Sequence, residues 1–215
     1  MAFPTTGVID VFTRADAASL GANYTANPFN NGATSLEISS NAAVGQNATF
    51  SFDLNWYNVA TFGPDVEVFV TLSTLGDAAS EVYLIARVQS PSASSSTGDG
   101  YWCELTGGGT TLTYKSITNG SASTLGSSET PGAFSPGDSF GFSVVGTTLQ
   151  AYRKTSGVWS TYGTSRTDGT YTGAGYIGLG SYEDTRTQVI DDFGGGTVVV
   201  AGSNNTRRSL LGVGR

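Results

Sequence analysis

The side chains able to do chemistry in this chain are few, and their spacing limits what they can do. Cleaving a glycosidic bond needs two carboxylates placed on either side of it. The nearest acidic pairs are Asp65 with Glu67, Glu183 with Asp184, and Asp191 with Asp192. Asp65 and Glu67 share one face of a strand, but the opposite face carries Val66, Val68, Val70 and Leu72, so the pair is expected on a solvated surface. Adjacent acids such as Asp191 and Asp192 point to opposite sides of a strand and cannot act on one bond. The 215 residues contain no histidine, which removes Ser-His-Asp and Cys-His chemistry and the usual zinc sets. Lys115 and Lys154 stand in no nucleophile motif, and the single Cys103 cannot form an internal disulfide.

Aromatic side chains offer a different chemistry. Their faces stack on the apolar C–H faces of sugars while Asn, Asp and Ser bond the hydroxyls. Trp56, Tyr57, Tyr101, Trp102, Trp159 and Tyr162 have the right side chains. Trp56 continues the apolar face of its strand and is expected in the core. Tyr101 and Trp102 alternate, so one faces inward and the other outward. Trp159 and Tyr162 lie in the polar stretch KTSGVWSTYG and are expected to be exposed. The candidate glycan-binding set is therefore Trp102, Trp159 and Tyr162.

The elements that must position these residues show in the period of the hydrophobic pattern. Residues 49–56 place Phe50, Phe52, Leu54 and Trp56 on one face; residues 65–72 and 81–89 repeat the alternation with Val, Leu and Ala. Further strands are expected at residues 8–12, 35–39, 101–105, 111–117, 139–145, 149–154, 176–179 and 189–193. Thirty glycines and many Ser and Thr supply the turns, and helix-forming runs are missing. Many short strands of this kind predict one all-β domain over residues 1–200, a sandwich or a barrel. The polar residues 90–100 are expected to be a surface loop and not a linker between domains.

Charge and hydropathy exclude several function classes. A net charge of −7 argues against a nucleic-acid surface, and no window is apolar enough for membrane insertion. The opening MAFPTTGVIDVF has no basic segment followed by an apolar one, so no secretory signal is expected. The segment 201–215 differs from the rest: without its three arginines, seven Lys and Arg face seventeen Asp and Glu, a net of −10. Arg207, Arg208, Leu210, Leu211 and Arg215 are the expected contacts if this basic tail docks on another subunit.

The first strand and turn read VIDVFTRADAASLGANYTA, with Asp10, Phe12, Arg14, Ala15, Asp16, Leu20, Gly21, Tyr24 and Thr25, and the end of the domain carries Gly137, Asp138, Phe140, Gly146, Tyr152, Tyr176, Ile177, Gly178, Leu179, Asp191, Asp192 and Phe193. In these elements the chain resembles the concanavalin A-like (laminin G-like) lectin and glucanase jelly-roll family, over about residues 7–195. The resemblance implies an all-β, two-sheet antiparallel sandwich, a jelly roll, whose first and last strands pair, residues 8–12 with 189–193. The Glu-x-Asp-x-x-Glu type of motif of the family's glucanases is absent, which points to a non-catalytic module. Related domains sit in phage minor tail and capsid-surface proteins. By that resemblance the chain is expected to be a virion structural protein, tail-associated or capsid-decorating, with other virion subunits and host-surface glycans as partners and a homo-oligomer as an open alternative. A free-standing carbohydrate-binding module is the rival reading, and a glycoside hydrolase the third. The family's use of calcium makes Asp10, Asp16, Asp191 and Asp192 the candidate metal ligands; the competing role for them is to brace turns.

Overall fold

A computed structural model of the chain describes residues 2–29, 33–46, 51–92, 98–183 and 186–199. The strands are β1 (Val8–Asp10), β2 (Tyr24–Ala26), β3 (Glu37–Ser39), β4 (Ala42–Val44), β5 (Ser51–Tyr57), β6 (Val66–Thr74), β7 (Glu81–Gln89) and β8 (Asp99–Thr106). They continue with β9 (Thr111–Thr118), β10 (Ser121–Thr124), β11 (Ser139–Val145), β12 (Thr148–Thr155), β13 (Val158–Thr167), β14 (Tyr176–Glu183) and β15 (Val189–Thr197). Eight strands form sheet A, in the order β13-β12-β11-β6-β15-β4-β3 with β1 also on β15; seven form sheet B, in the order β10-β9-β8-β7-β14-β5-β2. The strand pairs in both sheets are antiparallel.

The two sheets face each other across one apolar cluster. Val66, Val68, Val70 and Leu72 of β6, Phe140, Phe142 and Val144 of β11, and Ile177 and Leu179 of β14 are fully buried in it. Each such side chain contributes about 1.5–3 kcal/mol on burial. The first and last strands pair as expected, Val8 with Gly194 and Asp10 with Phe193 across a register shift. Residues 90–98 join β7 to β8, which are neighbours in sheet B. Residues 93–97 of that connection, Asp184, and the tail with Arg207, Arg208, Leu210, Leu211 and Arg215 lie outside the described residues.

One face assignment differs from the sequence reading. The central strands of sheet B are buried on both sides, and a second cluster with Phe29, Leu54, Tyr83, Ile85 and Trp102 lies on the outer side. The Phe52–Leu54 side of β5 packs into this outer cluster. Asp53 and Asn55 point inward, where Asp53 takes hydrogen bonds from Thr34 and Gln46, and Asn55 takes one from the Leu36 amide. Alternation separates the two faces of a strand; it does not say which faces the partner sheet when both are covered.

Candidate functional site

Antiparallel register turns the outer face of sheet A into transverse rows. In the first row Trp159 of β13 stands opposite Lys154 of β12, Lys154 opposite Ser139 of β11, and Ser139 opposite Thr71 of β6. The row ends at the bulge of β15, where Asp192 adopts a positive φ of 48° and its carboxylate accepts a hydrogen bond from Thr71 Oγ1 at 3.2 Å. Thr71 also meets the Ser139 hydroxyl at 3.2 Å. At about 4.8 Å between strands, the row spans about 19 Å. These residues line a groove of 240 Å³. Trp159 is half-buried and Lys154 is partly exposed. Among the described residues Lys154 forms no ion pair.

Two residues further along the strands, about 6.8 Å away, the next row reads Thr161, Tyr152, Gly141, Phe69 and Gly194. The third row holds Gln150, Ser143 and Glu67. Residues 2–7 run across these rows as an arm. Phe3 lies flat on Tyr152, with ring centroids 3.8 Å apart and planes 3° from parallel, while Trp159 meets it edge-on at 4.9 Å. The slot exists because residue 141 is glycine: a Cβ there would stand 2.4 Å from the Phe3 ring. Further along the arm, Oε1 of Glu67 accepts hydrogen bonds from the amides and hydroxyls of both Thr5 and Thr6 at 2.6–3.0 Å. Glu67 is 1% exposed, so its expected place on a solvated surface is corrected: it does face away from the core, but the arm covers it.

The three candidate aromatics separate. Trp159 lines the groove. Tyr162 does not: it is 5% exposed, belongs to the inter-sheet core, and its hydroxyl donates to the Gly132 carbonyl at 2.5 Å. It stands an odd number of residues from Trp159 on the same strand, and odd spacing puts side chains on opposite faces. Trp102 faces away from the inter-sheet core, as one of the Tyr101–Trp102 pair must, yet it is only 4% exposed, between Phe29, Tyr83 and Phe52. Lys154, Ser139, Thr71 and Tyr152 were not singled out as site residues from sequence. Their outward alternation was visible, but their alignment depends on the register of four strands.

The four candidate metal ligands do not assemble as one set. Asp16 is exposed and caps the Ser40 amide at 2.8 Å. Burial pushes the Asp191 carboxyl up, helped by the charges of Asp192 and Asp10, while the Asp192 amide opposes the shift; those three acids do share a neighbourhood. Both Asp10 oxygens, however, are taken: Arg14 grips them at 2.7 and 3.0 Å, the Phe12 amide donates to one, and the Tyr24 hydroxyl donates to the other. A guanidinium already supplies the positive charge a hard cation would bring, and among the described residues no group of three His, Cys, Asp or Glu can hold a metal. This donor set does not fit calcium; Asp10 and Arg14 brace the turn after β1.

Sheet B carries one more acidic pair that sequence reading missed. Glu81 and Glu104 lie on its outer side with Tyr83 and Trp102, and Lys115 pairs with Glu104 at 2.6 Å. Burial, with the charge of Glu104 adding and that of Lys115 opposing, pushes the Glu81 carboxyl up to about 7. Tyr83 donates its hydroxyl to Glu81.

No family model matches the chain, and no curated protein matches it. Solved structures do. The carbohydrate-binding module CBM66 from Bacillus subtilis is 17% identical, with a TM-score of 0.54 over 82% of this chain and 94% of that one. The carbohydrate recognition domain of Emp46p in its potassium-bound form is 9% identical, with a TM-score of 0.61 over 90% and 97%. The exoplasmic/lumenal domain of VIP36 bound to Ca2+ and Man2 is 13% identical, with a TM-score of 0.59 over 92% and 90%. At such identities the likeness is one of fold: the chain is an all-β, concanavalin A-like jelly-roll sandwich.

Proposed function

We propose that the chain is a non-catalytic glycan-recognition domain that binds through the Trp159 row of sheet A. The observation that carries this reading is the half-buried indole at one end of a groove that sets the polar groups of Lys154, Ser139, Thr71 and Asp192 beside the apolar Pro4, Val8 and Phe69. A pyranose laid on the indole buries its C–H face and turns its hydroxyls toward an ammonium donor, two hydroxyls that both donate and accept, and a carboxylate acceptor. The carbohydrate-binding names of the fold neighbours support the same reading. The groove offers one carboxylate, so it can hold a sugar without a second acid or base to cleave it. The test is a glycan array with wild type and Trp159→Ala; loss of the array signal in a folded variant supports the site, and an unchanged signal rejects it.

The finer setting we propose is the surface of a phage particle, tail or capsid, with the basic segment 201–215 docked on a neighbouring virion subunit. The opening and closing elements shared with domains of such proteins support it. Copurification with assembled particles, lost on deleting residues 203–215, tests it against the free-standing module.

A rival reading as a hydrolase rests on Glu81, whose raised carboxyl beside Glu104 has the character of a general acid. Against it, Glu104 is tied to Lys115, and the neighbouring Trp102 and Tyr83 are buried. Polysaccharide turnover abolished by Glu81→Gln would establish the rival.

A further inference from the structure

We propose that the row of Tyr152, Gly141 and Phe69 is a second stacking subsite of the same groove, one that the chain's own Phe3 fills and that an extended oligosaccharide takes over. The inference rests on the glycan reading of the Trp159 row. Phe3 sits as a stacked ligand would: parallel to Tyr152 at 3.8 Å, above a glycine, with Trp159 and Phe69 at its edges at 4.9 and 6.5 Å. Open space continues on both sides of it. The 240 Å³ groove of the Trp159 row lies on one side, and 260 Å³ beside Ser143, Gln150 and Tyr152 lies on the other. Both volumes are lined by residues of the arm, so the arm divides what is otherwise one trough across three rows.

The arm's attachment is uneven. Thr5 and Thr6 are gripped by Glu67, and the Val199 amide donates to Thr5 Oγ1 at 2.9 Å. Backbone pairing to sheet A begins only at Gly7, whose carbonyl accepts from the Gly195 amide at 3.3 Å. Among the described residues no backbone hydrogen bond ties residues 2–4 to the sheet, so Phe3 is held by ring contacts alone. It can leave the slot while the Glu67 clasp and every strand pair stay intact. What replaces it must be flat, have an apolar face, and be joined to a group already seated on Trp159. The next pyranose ring of an oligosaccharide meets all three demands.

The experiment uses the full chain and a length series of the oligosaccharide that scores on the array, with calorimetric titration of wild type, Phe3→Ala, Phe3→Ala/Gly141→Ala and Trp159→Ala. The Phe3→Ala variant should bind the longer members about tenfold more tightly than wild type and the shortest bound member equally. In the double variant the new methyl group fills the slot floor, and the gain should disappear. Equal affinities of wild type and Phe3→Ala for every length, with binding still lost in Trp159→Ala, overturn the second subsite and leave the Trp159 site standing. Absence of binding to any oligosaccharide by every variant overturns both. Thermal melting of each variant checks the fold; if Phe3→Ala does not fold, Phe3→Leu, which keeps apolar bulk but cannot stack, carries the same comparison.

Discussion

Replacing Trp159 with alanine removes the more exposed of the two aromatic side chains, Trp159 and Phe69, that line the groove of sheet A. A sugar ring stacked on an indole covers on the order of 60–80 Å² of apolar surface, worth about 1.5–2 kcal/mol at 25 cal/mol per Å². That corresponds to roughly a 10–30-fold rise in Kd. The same substitution strips edge contacts from Phe3 and Phe69, whose centroids lie 4.9 and 5.9 Å from the indole. Aromatic pairs of this kind are worth about 0.5–1.5 kcal/mol. For a domain of this size the loss of both pairs should lower the melting temperature by roughly 2–12 °C, and the protein should stay folded at 25 °C. The assay is calorimetric titration of the array-selected glycan beside thermal melting, with Trp159→Phe as the conservative partner that keeps a stacking face. An unchanged Kd in a folded Trp159→Ala protein would refute the reasoning. So would equal losses in Trp159→Ala and Trp159→Phe.

Tyr162→Ala should behave in the opposite way, losing about 3–5 kcal/mol of stability because Tyr162 is a core side chain, with little change of glycan affinity in the folded fraction; a melting temperature near wild type would contradict its placement. Glu81 sets a pH dependence. Its carboxyl titrates near 7 in the folded protein against 4.5 in the unfolded chain, so the folded state holds the extra proton between those values, and its contribution to stability is lost as pH rises from about 4.5 through about 7. Melting curves across that window should show the decline, and Glu81→Gln should flatten it; an equally steep decline in the variant counts against the assignment. Chelation should leave glycan binding unchanged, because Arg14 occupies the Asp10 carboxylate; a loss with EDTA that calcium restores would place a metal in the site.

Much of the architecture was readable from alternation. In β6 the run Val66, Val68, Val70 and Leu72 fixed both the strand and its core face, because the other side mixes one aromatic, Phe69, with the polar Glu67 and Thr71. In β5 the same rule found the strand but not its direction, since the Phe52–Leu54 side packs against the outer cluster and the polar side, Asp53 and Asn55, is buried among hydrogen-bond donors. Of the site, Trp159 was legible as an aromatic in a polar hairpin, and the three-residue step to Tyr162 already implied opposite faces. The rest of the row was not. Ser139 and Thr71 carry no signal of their own, and what brings them beside Trp159 and Lys154 is cross-strand register set by turns distant in sequence. Nor does the local sequence of Phe3 reveal its seat, which is created by a missing side chain at Gly141, far along the chain.

Ligand is expected to meet sheet A and not sheet B. Amide chemical-shift mapping in ¹⁵N-labelled protein, titrated with the array-selected oligosaccharide, separates the two faces directly. The largest shifts are expected at Thr71, Ser139, Lys154, Trp159 and Asp192, with smaller ones along the arm at Thr5 and Thr6. Shifts concentrated instead at Phe52, Glu81, Glu104 and Tyr182, on the outer side of sheet B, would contradict it.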